Sequence, residues 1–215
     1  MSGTASVIHL LDNDFLIKLA RWDLLHAYLE AFEIVIADVR AIGTLRRRLY
    51  FDTARHKPNL RLCGTAVACE RLFNFLKTVK PPLPTDLDFT ALATGVEDFE
   101  DGEVVLVSAL CAGGGQYVYT GDKRAIRAMA SFRETEFDAK FRDRVVCLEQ
   151  ALLTMINKLG FAYIRQCISS DFSADTGIEK NCFSIAAQTQ EPHVRNYLEN
   201  EIRELQAECG GILKS

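Results

Sequence analysis

Several features that would assign a class outright are missing from this sequence. No apolar stretch reaches the roughly 18 residues a bilayer-crossing helix needs before Asp, Glu, Arg or Lys interrupts it. The opening Met-Ser-Gly-Thr-Ala-Ser carries no positive residue, and Asp12 and Asp14 stand where a secretion signal would be apolar. The expectation is therefore a cytoplasmic protein without a membrane partner. None of the 7 cysteines forms a C-x-x-C pair, and their scatter from Cys63 to Cys209 suits reduced, buried thiols better than disulfides or a zinc site. A basic excess is missing as well. The formal net charge of −4 argues against a general nucleic-acid coat, though not against an enzyme with a local basic patch. Repeats and low-complexity tracts are absent. The Gly-Asp-Lys at 121–123 lacks the Gly-Lys-Ser/Thr of a phosphate-binding loop, and His9, His26, His56 and His193 lack metalloprotease spacing.

What is present is globular: 215 residues, 48% hydrophobic and 25% charged, enough for one large domain or a domain with a helical extension. Strand-like and helix-like patterns alternate. Ser6–Leu11 reads as a buried strand, and Leu16, Leu19, Ala20, Leu24, Tyr28 and Leu29 recur at helical spacing. Glu33–Ala37 reads as a second strand, followed by a helix through Ile42, Leu45 and Leu49. Thr65–Val79 is helical and ends at Lys80-Pro-Pro-Leu-Pro84. For Asp101–Ala112 the valines suggest strand, but the length and the exit through Gly113-Gly-Gly115 favour a helix. Gln116–Thr120 is a strand, Lys123–Ala130 a helix, Arg144–Leu148 a last strand, and Gln150–Leu159 a helix closed by Gly160. Such alternation is the sequence form of βαβ units, hence an α/β fold with a mainly parallel sheet. Beyond about Ser169 two amphipathic patterns, Thr176–Gln188 and Pro192–Glu208, suggest a C-terminal helical extension. The expected division is 1–168 for the α/β domain and 169–215 for the extension.

Three acids share one structural address. Asp12 ends the first strand, Asp122 follows the strand Gln116–Thr120, and Glu103 opens a helix. In parallel sheets the carboxyl ends of the strands form the binding crevice. Carboxylates gathered there repel one another unless a cation sits among them, and Mg²⁺ or Mn²⁺ prefers such hard oxygen donors. A metal so held can generate hydroxide and stabilise a phosphodiester under attack. Each acid also has a plain structural role: Asp12, Asp14 or Asp122 as a helix N-cap, Asp101 or Glu103 as favourable charge in a first turn.

The order of these motifs resembles the PIN-domain nuclease family. Leu10-Leu-Asp-Asn-Asp-Phe-Leu-Ile17 resembles its opening strand and first acid, Asp101-Gly-Glu103 with Val-Val-Leu-Val-Ser-Ala-Leu its third, and Thr120-Gly-Asp122 its strand-end fourth. Val145-Val-Cys-Leu-Glu149 with Leu152-Leu-Thr-Met-Ile156 looks like its closing strand and helix, so the resemblance runs over roughly residues 6–165. It implies a three-layer α/β/α PIN-like domain, a metal site of Asp12, Glu103 and Asp122 with Mg²⁺ or Mn²⁺, endoribonuclease activity, and a toxin or defence role with a protein antagonist. The family places a Glu near Ile42, where this chain reads Ala37-Asp-Val-Arg-Ala-Ile-Gly43, so Asp38 is the candidate substitute and a fourth catalytic acid.

Basic residues are dense at Arg40, Arg46, Arg47, Arg48, Arg55, Lys57 and Arg61, and Lys123, Arg124 and Arg127 lie beside Asp122. Arg46, Arg47, Arg48, Lys123 and Arg124 are the candidate contacts to RNA or single-stranded DNA; the plain alternative is a solvated helix face. Two other functions compete. One is a PIN-like module that binds RNA or protein, itself included, without catalysis. The other is a haloacid-dehalogenase-type phosphatase, whose D-x-D motif Asp12-Asn-Asp14 resembles, with Asp12 as nucleophile and Asp14 as acid/base.

Overall fold

Short runs of apolar residues build a sheet buried on both faces. In the computed structural model, which describes residues 7–52, 57–82, 84–182 and 190–215, four strands run parallel. They are β1 (His9–Leu11), β2 (Val39–Ala41), β5 (Tyr117–Thr120) and β6 (Val145–Cys147), in the order β2-β1-β5-β6. His9, Leu10 and Leu11 pair with Val39, Arg40 and Ala41 on one side and with Tyr117, Val118 and Tyr119 on the other. Val118, Tyr119 and Thr120 pair with Val145, Val146 and Cys147. Alternation across the pleat sends Leu11, Tyr119 and Val146 into one apolar core and Leu10, Val118 and Val145 into another.

Helices cover both faces, as parallel strands require. Asn13–Arg21 (α1) and Leu25–Ala31 (α2) follow β1. Gly43–Arg48 (α3) follows β2 and leads to a small antiparallel pair, Tyr50–Asp52 (β3) and Lys57–Pro58 (β4). Leu60–Cys63 (α4), Ala66–Thr78 (α5), Leu87–Ala93 (α6) and Asp101–Cys111 (α7) precede β5; Lys123–Ala130 (α8) and Asp138–Phe141 (α9) lie between β5 and β6. Leu148–Leu159 (α10), Phe161–Ile168 (α11), Thr176–Cys182 (α12) and Glu191–Cys209 (α13) complete the chain. α1, α2, α5 and α10 enclose the first core, and α6, α7 and α8 the second.

Among the described residues past Ser169, the helices α12 and α13 and the tail that follows share these cores. Val194 and Leu198 of α13 enter the first, and Leu205, Cys209, Ile212 and Leu213 the second. α13 ends at Gly210, whose φ of 55° is the left-handed conformation that terminates helices. The tail then lies beside β6: Val145 pairs with Leu213, and the Lys214 N–H donates to the Val145 carbonyl at 2.8 Å. At the opposite edge the Lys80 carbonyl accepts from the Ala41 N–H at 3.1 Å, so both outer strands have a neighbour covering part of their free edge.

Two expectations need correction. The strand expected at Glu33–Ala37 is not one. Glu33 turns the chain at φ 55°, Ile34 plugs the core, Val35 is exposed, and Ile36–Asp38 is a 3-10 turn. The strand is the next segment, Val39–Ala41. The single helical pattern from Leu16 to Leu29 is two helices, divided where Asp23 takes φ 61° and the Leu24 N–H donates to the Leu19 carbonyl at 2.8 Å. Residues 183–188 of the expected Thr176–Gln188 helix, Ser6 of the first strand and Arg55 lie outside the described residues.

Candidate active site at the carboxyl edge of the sheet

β1 and β5 end side by side, and the first polar residues after them face the same edge. Asp12 caps α1: its Oδ2 accepts from the Asp14 N–H at 3.2 Å and from the Thr120 hydroxyl at 3.4 Å. The Thr120 oxygen in turn accepts from the Asp122 N–H at 3.1 Å, so one hydroxyl joins the two strand ends. Asp122 caps α8 and takes the Arg124 N–H at 2.8 Å and its guanidinium at 2.9 Å. Glu103, in the first turn of α7, accepts from the Glu100 N–H at 2.9 Å in a capping box. Each acid therefore has the structural role that its position in the sequence offers.

Capping does not account for their electrostatics. Asp12 and Glu103 are only 5% and 7% exposed. Burial pushes the Asp12 carboxyl up to about 6, with the Asp14 charge adding and hydrogen bonds from Asn13, Asp14 and Thr120 opposing. Burial pushes Glu103 up to about 8, and the charges of Asp12, Asp122 and Glu100 add to it. Glu103 thus feels the charges of both other acids. Asp122 differs: burial raises it, but the guanidinium and N–H of Arg124 prevail and hold it below the usual carboxylate range.

The fourth position is apolar. Ile42, just past β2, reaches this edge: its Cδ1 lies 3.0 Å from where a Cβ on Gly102 would stand, beside Glu103. Asp38 is not brought to the cluster. It precedes Val39, which pairs with His9, so it sits at the start of the strands while Asp12 follows their end. Four residues of strand separate those levels, about 13 Å at 3.3 Å per residue. Asp38 acts instead on His9, which burial and Lys214 lower to about 4 and Asp38 partly restores.

Of the basic candidates, Arg46, Arg47 and Arg48 are exposed on α3, which begins directly after Ile42. Arg46 and Arg47 line a groove of about 580 Å³ with Ile42, Gly43, Phe73 and Pro81, and the Arg46 guanidinium lies over the Phe73 ring at 5.3 Å. Lys123 and Arg124 are both engaged. Arg124 holds Asp122, and Lys123 pairs with Glu149 at 2.7 Å and with Glu201.

Sequence reasoning missed Glu149. It is 5% exposed and follows β6 at the level of Asp122, because Thr120 pairs with Cys147. Its position just past a parallel strand was the available signal. Asn13 was also missed: its Oδ1 is buried and has no hydrogen-bond partner among the described residues, and its Nδ2 is 3.9 Å from the Gly102 Cβ position. The charge, the hard oxygen donors and this unpartnered buried oxygen fit a divalent cation. The side chains are not closed into a cage: among the described residues no three His, Cys, Asp or Glu form a group that could hold a metal ion.

No known protein family, curated protein or solved structure matches the chain. Among the described residues no helix is long and apolar enough to cross a membrane.

Proposed function

We propose that this protein is a metal-dependent endonuclease of PIN-like type that hydrolyses single-stranded RNA, with Asp12, Glu103 and Asp122 holding Mg²⁺ or Mn²⁺. One observation carries the reading: two buried carboxylates, Asp12 and Glu103, raised to about 6 and about 8, stand at the carboxyl edge of a parallel sheet, and among the described residues no cationic side chain is bonded to either. When bound, a divalent cation would neutralise them, lower the pKa of coordinated water and stabilise charge on a phosphodiester. The chain itself supplies position. Thr120 fixes Asp12 relative to Asp122, the α7 capping box orients Glu103, and Arg124 keeps Asp122 ionised. Arg46 and Arg47 extend the edge into a groove suited to phosphate contacts, which would make binding salt-sensitive and sequence-tolerant. A toxin or defence role with a protein antagonist follows from the family resemblance.

A second reading, an RNA-binding module of the same fold without catalysis, is favoured by Ile42 in place of an acid and by the Arg124 clasp on Asp122. The phosphatase reading has less support, because its acid/base, Asp14, is paired with Lys18 at 2.6 Å. Labelled single-stranded RNA, single-stranded DNA and a generic phosphomonoester, each incubated with Mg²⁺, Mn²⁺ or chelator, separate the three. The nuclease cuts RNA only with metal, the binding module cuts nothing, and the phosphatase releases phosphate from the monoester.

A further inference from the structure

The net charge of the chain is unevenly placed. Residues 169–215 carry eight acids against four Lys or Arg, which accounts for the whole formal charge of −4 and leaves residues 1–168 neutral. That acidic segment is laid against cations of the α/β body. Among the described residues four ion pairs join them, and in each the cation belongs to α1 or α8, the helices that leave the candidate site. Lys18 pairs with Asp175 at 2.8 Å, Arg21 with Asp171 at 2.8 Å, Arg127 with Glu208 at 2.7 Å, and Lys123 with Glu201.

Two of these cations stand at the acid edge itself. The Lys18 ammonium presses on Gly121, where a Cβ would come within 3.0 Å of it, and Gly121 adjoins Asp122. Lys123 follows on the other side. Each lysine bridges one carboxylate of the body, Asp14 or Glu149, and one of the C-terminal segment, Asp175 or Glu201. A lysine held between two carboxylates has its charge more than offset, so a phosphate must compete with them for it. Yet the Lys123 and Glu201 side chains are 27% and 28% exposed, so solvent and a ligand reach both.

We infer that Asp175 and Glu201 are built-in competitors for nucleic-acid phosphates at Lys18 and Lys123, so that the C-terminal segment lowers the affinity of the site for RNA. The inference rests on the proposed function in taking RNA as the polyanion. α13 does not leave: Val194 and Leu198 are fully buried and Leu205 is 2% exposed, which anchors the helix in both cores. Only the lysine side chain swings, from the carboxylate to the phosphate. Electrostatic competition of this kind reports itself through salt, because each phosphate contact on a single strand contributes a fixed slope to log K against log salt.

The test is binding of a fluorescein-labelled 20-nucleotide oligouridine to the full chain in chelator, so that no cleavage intervenes, across a salt series. Glu201→Gln keeps the shape and hydrogen-bonding capacity of the side chain. Affinity should rise about threefold to tenfold and the salt slope steepen by about 0.7, the contribution of one phosphate contact. In Glu201→Gln, Lys123→Met the gain should vanish. Unchanged or weaker binding by folded Glu201→Gln, or a gain that survives loss of Lys123, overturns the inference. Should Glu201→Gln fail to fold, Asp175→Asn gives the same readout through Lys18. Tighter binding with no metal-dependent cleavage by any variant supports this inference while removing the nuclease reading; cleavage without the gain does the reverse.

Discussion

Glu103→Gln removes one charge from the cluster and little else. Glu103 uses an oxygen to accept from the Glu100 N–H, and the Gln carbonyl can do the same, so the α7 cap is retained. The carboxyl titrates near 8 in the folded chain against 4.5 ordinarily, chiefly through burial. An acid with a raised pKa binds its proton more tightly when folded, so stability falls as pH rises from about 4.5 to 8 and is level above that. Three to four decades of proton affinity at about 1.4 kcal/mol each set a ceiling near 5 kcal/mol. Relaxation and water penetration reduce this to about 2–3 kcal/mol. In chelator at pH 8.5 the variant should therefore melt about 5–10 °C above wild type, given about 2–4 °C per kcal/mol for a chain of this size. At pH 4.5 the two should melt together. Thermal unfolding followed by circular dichroism across that pH range measures it. A difference that does not change with pH, or a variant less stable at pH 8.5, would refute the account of Glu103 as a buried, unneutralised charge.

Asp122→Asn should abolish RNA cleavage and change stability by less than about 1 kcal/mol, because Asn caps a helix as well as Asp and the lost Arg124 pair is exposed; a gel-based cleavage assay and a melt check both halves. Charge reversal of Arg46, Arg47 and Arg48 together should weaken RNA binding at low salt and flatten its salt dependence with the melting temperature nearly unchanged, since all three are on the surface; unaltered affinity returns them to a solvated face. Ile42→Glu places a carboxylate beside Gly102, so it should lower stability in chelator and enlarge the metal-induced rise in melting temperature relative to wild type; no enlargement would mean that position 42 does not reach the cation.

Much of this was legible because strand ends and helix starts carry local signals. Thr120-Gly-Asp122 is readable as the end of a strand and the cap of a helix, and α7 was separable from a strand by its length and glycine exit. β2 was not legible. Val39-Arg-Ala41 is three residues on the outer side of β1, with weaker apolar content than the Ile-Val-Ile before it, and Ile34 is buried by a turn instead of by pairing. That displacement carried Asp38 with it: moving the strand onward puts Asp38 at its start and Ile42 at its end. The break at Asp23 was hidden because an aspartate took the left-handed conformation where glycine is the usual signal. Glu149, Lys123 and Glu201 form one network from three distant segments, and no spacing rule brings together residues 78 positions apart.

The central claim is that Asp12 and Glu103 hold a divalent cation, and titration of Mn²⁺ into the protein, with free Mn²⁺ read by electron paramagnetic resonance, tests it most directly. The wild-type chain is expected to take up Mn²⁺ saturably at pH 8.5 and to bind it progressively more weakly as pH falls through about 8 and then about 6, where first Glu103 and then Asp12 take up protons that compete with the metal; Asp12→Asn and Glu103→Gln are expected to bind it far more weakly. No uptake by wild type, or equal uptake by the two variants, would contradict the account.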